Sequence, residues 1–159
     1  MRHQDSRAAC SFKTSHARRG AAAVEVAVVA TVFFMVMFAL LDIGLAVVRY
    51  NMLSLAARSA ARAAVVHGSD APPEQTTWGP SDYSGTAADG SEVAQVAAPY
   101  LTTMDLGSVS ITMTWPDEDV QADDRVTVKM SYQNVPLTPL LSGLTTMTIS
   151  ATSTMRIVH

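Results

Sequence analysis

The hydrophobic positions form one long apolar segment, followed by shorter stretches that alternate with polar residues. Residues 21–48 carry only two charged side chains, Glu25 and Asp42, and residues 26–41 are apolar apart from Thr31. As a helix, residues 26–41 would rise about 24 Å, and either flank extends them to the roughly 30 Å of a hydrocarbon core. A soluble helix this apolar would find little chain to cover it. The pattern therefore predicts a transmembrane helix over residues 21–48.

The helical pattern continues beyond the membrane segment. The chain there is rich in Ala, Leu, Arg and Met, lacks proline as far as Gly68, and carries Arg58 and Arg62 at i,i+4 spacing. Gly68 is a suitable C-cap. We expect one helix over residues 21–67, on the order of 70 Å long, whose continuation over residues 49–68 stands outside the membrane.

Three later segments alternate apolar and polar residues with a period of two. This period predicts antiparallel strands with one buried face and one wet face, and the wet positions are mostly Thr and Ser. The segments are residues 109–115, 125–132 and 147–157.

A polar connection separates the long helix from these strands. Residues 69–90 are rich in Gly, Pro, Ser and Asp and are predicted to be a loop, after which Ser91 caps a short helix that Pro99 ends. The predicted fold class is α+β: a long N-terminal helix, membrane-spanning in its first half, packed on a small antiparallel sheet of three or more strands. Residues 53–66 of the helix would cover the sheet, and residues 69–159 would form an external head.

The charges are distributed asymmetrically about the apolar segment. Residues 1–20 carry five basic residues against Asp5, whereas residues 63–159 carry three basic residues and eleven acids. Because Lys and Arg are retained on the cytoplasmic side, we expect a single-pass inner-membrane protein with a cytoplasmic N-terminus and an external or periplasmic head. A cleaved secretory signal fits less well, since its apolar core spans only 7–15 residues.

The residue types needed for catalysis or cofactor binding are not assembled in the sequence. Cys10 is the only cysteine, which excludes an intramolecular disulfide and a cysteine-based zinc cluster, and the four histidines are scattered. There is no nucleophile–base constellation and no phosphate loop. Basic residues cluster only in the leader and the helix, so nucleic-acid binding is not indicated. We expect no enzymatic activity, no cofactor and no metal.

The acidic run over residues 117–124 has two interpretations. It could bind calcium, but a twelve-residue calcium loop beginning at Asp117 would lack its glycine at position six and its glutamate at position twelve. A solvated hairpin loop between two strands is the favoured interpretation.

Glu25 is the most informative single residue. A charged side chain at the centre of a membrane helix costs roughly 2.5–3.5 kcal/mol, less near an interface, so such a residue normally has a partner. If the chain were cut between Gly20 and Ala21, the new α-amine of Ala21, or that of a neighbouring subunit, could pair with Glu25. An interfacial acid that is simply solvated is the alternative. Asp42 is equally open between an interhelical contact and solvation.

These residues resemble a known family. The stretch Arg18-Arg19-Gly20-Ala21-Ala22-Ala23-Val24-Glu25 resembles the class III signal of type IV pilin-like proteins, which a membrane prepilin peptidase cuts after the glycine. Residues 40–68, the strands ending in Tyr132, the Pro136/Pro139 segment and the closing residues 150–158 resemble TadE-like proteins, minor pseudopilins of the Tad (tight adherence, Flp) pilus.

The resemblance implies a role for each residue of the signal. Gly20 and Ala21 would form the processing site, Glu25 would serve processing and subunit registration, and Arg18 and Arg19 would hold the leader, residues 1–20, in the cytoplasm until it is cleaved. The implied partners are the prepilin peptidase, other pilins and pseudopilins, the inner-membrane assembly platform and membrane lipid. The implied role is pilus assembly for adhesion or secretion. An uncleaved, membrane-anchored binding protein or assembly factor is the alternative.

Overall fold

The fold is taken from a computed structural model that describes residues 14–69, 71–72, 76–136 and 147–157, with only the backbone of residues 14–19. A long helix, α1 (Thr14–Val65), precedes a sheet of four strands, β1 (Tyr83–Thr86), β2 (Val109–Thr114), β3 (Arg125–Asn134) and β4 (Met147–Arg156). A short helix, α2 (Glu92–Ala97), and two 3₁₀ turns, Ala98–Tyr100 and Leu106–Ser108, lie between β1 and β2. The chain divides into two compact units, Met1–Leu40 and Leu41–His159.

The first unit contains the apolar part of α1. Every side chain from Ala21 to Val29 is exposed, and so are the phenylalanines at 33, 34 and 38. Helix Gly20–Val65 contains an 18-residue window that is long and apolar enough to cross a membrane and has no residue buried within the protein. An apolar surface of this kind is stable in lipid rather than in water, so the helix fits a single-pass membrane protein. The helix begins at Thr14 rather than at the predicted residue 21.

In the second unit, α1 buries one face. Leu53, Ala57, Ala60 and Ala64 recur at intervals of three or four residues and are at most 1% exposed. Because alanine has a short side chain, the helix backbone can lie close to the layer beneath it. The helix ends at Val65, two residues before the predicted end, and its last turn closes with hydrogen bonds from the amides of the next two residues to carbonyls three residues earlier.

The sheet is a meander in the order β1-β2-β3-β4, antiparallel throughout. Its inner face joins α1 and α2 in one buried cluster, which confirms the predicted α+β architecture of a long helix on an antiparallel sheet. Its outer face carries Ser and Thr, some of them hydrogen-bonded across strands, as Ser110 is to Ser131 and Thr127 to Thr154. The inner residues are Val109, Ile111, Met113, Val126, Val128, Met130, Ile149 and Ala151.

The structure differs from the sequence prediction in the region between helix and sheet. Residues 83–86, predicted to be part of a loop, form the edge strand β1, which pairs Tyr83 with Met113 of β2. Four residues containing Gly85 are too few to display a period of two. The predicted Ser91 cap is confirmed, since its hydroxyl accepts a hydrogen bond from the Ala94 amide, and α2 ends before Pro99.

Candidate functional site

The predicted processing segment lies on the exposed, apolar part of α1. A Cβ atom built on Gly20 would have no neighbour within 4 Å. Glycine inside a helix is less favourable than alanine by about 0.5–1 kcal/mol, and no side chain in the described structure requires a glycine at position 20. Gly44 is equally unobstructed, so it provides a matched control for substitutions at Gly20.

Ala21 and Glu25 are one helical turn apart. Their i,i+4 spacing places both on the same face, separated by about 6 Å along the axis. Both side chains are exposed, and no hydrogen bond or ion pair to Glu25 occurs among the described residues. Arg18 and Arg19 are in the same helix, but their side chains lie outside the description. The predicted role of these residues stays a prediction.

Asp42 lies at the start of the second unit. It is half-buried, like Ala46 and Arg49, and these three residues precede Leu53 on the helix face that packs into the second unit. The spacing of 42, 46, 49 and 53 keeps all four within one sector of the helix. An interhelical contact through Asp42 stays a prediction.

Arg49 connects α1 to the end of β3, a contact that was not among the sequence predictions. Its Nη1 donates a hydrogen bond to Oδ1 of Asn134, which is only 6% exposed, and its guanidinium carbon lies 5.6 Å from the ring centroid of Tyr132. The signal was present, since Asn134 continues the period-two series of inward residues that includes Met130 and Tyr132. An asparagine at a core position requires a polar partner, and Arg49 supplies it.

The acidic run forms a hydrogen-bonded hairpin loop between β2 and β3. Arg125 donates from its backbone amide, Nε and Nη2 to the Asp117 carboxylate at 2.7–3.1 Å, which lowers the pKa of Asp117 to about 2. Asp123 pairs with Arg156 at 2.9 Å. Within the described ranges, no group of three or more His, Cys, Asp or Glu is placed to hold a metal ion. These hydrogen bonds support the interpretation as a hairpin loop.

A second polar network, which the sequence did not indicate, fastens residues 76–91 to α2. Trp78 stacks on His67 with ring centroids 4.2 Å apart and donates to Glu92 at 2.7 Å. The hydrogen bonds from Trp78 and Thr76 lower the pKa of Glu92. Asp89 accepts from the Tyr83 hydroxyl and the Ser91 amide, which lowers its pKa to about 2.

These interactions hold loops in place and do not form a catalytic arrangement in the described part of the chain. Each network carboxylate accepts hydrogen bonds from tryptophan, tyrosine, hydroxyl or amide donors. None of the network hydrogen bonds pairs a serine, threonine or cysteine nucleophile with a histidine base, which acyl transfer requires.

The similarity to a known protein family lies in the helix and not in the sheet. The family model described as TadE-like protein matches residues 20–62. No curated protein and no solved structure shows significant similarity to the chain. TadE-like proteins are associated with the Tad pilus as structural or assembly components rather than as enzymes. Residues 20–62 of the chain thus match the TadE-like family, which confirms the resemblance found in its sequence.

Proposed function

We propose that this protein is a minor pseudopilin of a Tad/Flp-type pilus. It is held in the inner membrane with its N-terminus in the cytoplasm, is cut by a prepilin peptidase between Gly20 and Ala21, and is needed for pilus assembly in adhesion or secretion. The observation that carries the proposal is that three features meet at Gly20. The TadE-like match begins at Gly20, where the Arg18-Arg19 pair meets an exposed apolar helix that carries Glu25.

Cleavage would change the charge at the start of the helix. Water attacks the carbonyl carbon of Gly20, the amide bond to Ala21 breaks, and the products are a Gly20 carboxylate and an Ala21 ammonium group. The ammonium group then lies about one turn from Glu25. A carboxylate and an ammonium group attract each other far more strongly in a low-dielectric environment than in water, so the pair lowers the cost of keeping Glu25 at the membrane boundary.

The exposed apolar surface of α1 gives the mature helix two environments. In the membrane its side chains contact lipid, and in an assembly they contact the apolar helices of other pilins. Helices in lipid associate through close packing and polar contacts. Lipid tails are as apolar as the helix side chains, so removing those side chains from lipid gains no hydrophobic free energy. An ion pair between Glu25 and the Ala21 amine of a neighbouring subunit would set the register of that packing.

The test is complementation in the host. A strain lacking the gene should lose surface pili, and the wild-type gene should restore them. We expect Glu25→Gln to fail, because the neutral amide cannot pair with an ammonium group. Asp82→Asn, which neutralises an exposed acid outside the hairpin loop and keeps an oxygen to accept from the Trp115 amide, is the matched control and should restore pili. Normal piliation in the deletion strain would contradict the proposal.

The alternative is an uncleaved, membrane-anchored binding or assembly-factor protein. One observation favours it: α1 is unbroken from Thr14 to Val65, so the Gly20–Ala21 bond lies within a hydrogen-bonded helix. Cleavage at this bond requires the helix to open locally. In the alternative, Gly20→Ala leaves both the mass of the protein and its activity unchanged.

A further inference from the structure

One face of α1 in the second unit is exposed and carries both positive charge and apolar side chains. This face, termed the basic stripe, consists of Leu55, Arg58 and Arg62 of α1 and of Val66 in the turn that follows it. At 100° per residue the three helical side chains fall within a sector of about 60°, opposite the buried alanines. Leu55 is 53% and Val66 is 40% exposed, and both arginines are exposed. Exposed arginine beside exposed apolar side chains is typical of a protein–protein interface.

The two arginines have no ionic partner in the described part of the chain. The ion pairs found there join Arg125 to Asp117 and Arg156 to Asp123, both at the acidic loop. No hydrogen bond to Arg58 or Arg62 occurs among the described residues. Their charge is therefore available to a partner of opposite sign.

The acidic loop, residues 117–124, carries an excess of negative charge. Two of its five carboxylates are paired with arginine. Of the rest, Asp119 and Asp124 accept only uncharged donors, the amides of Val120 and Gln121 and the Gln121 side chain. Glu118 is exposed, with its backbone in the left-handed region at φ 58°. Three negative charges therefore remain unneutralised on this loop.

The backbone of the acidic loop is fixed beside the end of α1. The Ser69 amide donates to the Val120 carbonyl at 3.0 Å, and Asp123 and Asp124 exchange backbone hydrogen bonds with Ile157 at 2.9 and 2.8 Å. Arg62 and Arg58 precede the helix end at Val65 by three and seven residues, which corresponds to about 5 and 10 Å along the helix. The basic stripe and the acidic loop thus both lie towards the C-terminal end of α1.

We propose that the basic stripe of one molecule docks on the acidic loop of a second copy of this chain. The contact joins two different surfaces of the same protein. A contact of that kind leaves a free stripe at one end and a free loop at the other, so it can repeat into an open linear assembly. It depends on the second unit alone and holds whether or not the chain is cut after Gly20.

The test is site-specific cross-linking of the full chain in membranes. In a Cys10→Ser background, a cysteine replaces Val66 at the end of the stripe in one copy and Ala122 in the loop in a second, co-expressed copy, both positions being exposed, and a short bifunctional maleimide joins the two copies. We expect a cross-linked dimer. Either the double variant Arg58→Glu/Arg62→Glu or the variant Glu118→Lys/Asp119→Lys should reduce it at least about fivefold, because like charges then face each other.

The decisive sample combines all four substitutions in one chain. Charge is then reversed on both surfaces, and we expect cross-linking to recover. Lys129→Glu, on the outer face of the sheet, is the control for a simple change in net charge, and unchanged tryptophan fluorescence shows that each variant is folded. A dimer yield indifferent to all four substitutions would overturn the proposal. The proposal would also be overturned if the combined variant did not restore the dimer yield. The same holds if the stripe variant weakened binding to anionic lipid and left the dimer yield unchanged.

Discussion

Gly79 combines a backbone conformation that favours glycine with little room for a side chain. Its φ is +92°, and an added Cβ would lie 2.5 Å from Cε2 of Trp115 and 2.7 Å from Cγ1 of Val120. Gly79→Ala should therefore combine backbone strain with overpacking and lower the free energy of unfolding by about 2–5 kcal/mol. Gly90→Ala is the control, because Gly90 has φ +76° but no neighbour within 4 Å. Urea unfolding followed by tryptophan fluorescence measures both, and equal losses would contradict the packing explanation.

Arg49 should matter for stability because its partner is buried. Arg49→Ala leaves Oδ1 of Asn134 without its donor, and loss of a hydrogen bond to a charged group should lower the free energy of unfolding by about 1–3 kcal/mol. Arg58→Ala removes an exposed arginine from the same helix and should change it by less than about 0.5 kcal/mol. The same unfolding experiment compares the two. Equal effects would show that the Asn134 contact is not stabilising.

Asp117 should make stability depend on acidity. Its pKa is about 2 in the folded protein, below the ordinary value of 3.8, because Arg125 favours the carboxylate. Its contribution is therefore complete above pH 5 and is lost as the pH falls through 4 towards 2. The stability difference between wild type and Asp117→Asn should shrink over that range, whereas Ala122→Ser, an exposed change in the same loop that involves no titratable group, should show no such trend. A difference that stays constant from pH 6 to pH 2 would contradict the assigned ion pair.

At the scale of elements, α1 combines two surfaces that differ in chemistry. Its N-terminal part exposes Val, Phe and Met, and its C-terminal part buries a row of alanines. Ala60→Leu adds three carbons at a fully buried position and should lower the free energy of unfolding by about 1–3 kcal/mol. Asn51→Leu, on the exposed face, is the control and should be near neutral. Equal tolerance at both positions would mean that the alanines do not contact the sheet closely.

The elements with long periodic patterns were predictable from the sequence. The apolar run, the absence of proline and the alternation over residues 109–115, 125–132 and 147–157 each indicated an element that the structure contains. The ends were less predictable. Met147 is 56% exposed and Met155 is only half-buried, although the alternation places both on the inner face of the sheet. An inward side chain is buried only where another layer packs on it, and the ends of an edge strand extend beyond that layer.

Contacts between distant residues were not predictable. The stacking of His67 on Trp78, the Glu92 hydrogen bond and the Arg49–Asn134 pair join positions 11 to 85 residues apart, and no local period reports them. The processing residues present the opposite case. Gly20, Ala21 and Glu25 were identified through the resemblance of residues 18–25 to a pilin signal, and the structure adds their exposure and their common helix. Their roles stay predictions.

At the scale of the whole molecule, the proposed function assigns a different task to each part of the chain. The leader would set orientation, the exposed apolar helix would anchor the protein and later pack against other pilins, and the second unit would present surfaces for assembly. The TadE-like match over residues 20–62 covers the helix and not the sheet. Cleavage after Gly20 is the step on which the pseudopilin assignment depends.

The most direct measurement is the intact mass of the protein from host membranes, in strains with and without the prepilin peptidase. The account predicts a loss equal to residues 1–20 only when the peptidase is present. It also predicts that Gly20→Ala reduces this loss while Gly44→Ala does not. A full-length mass in both strains would contradict the account and would favour an uncleaved, membrane-anchored protein.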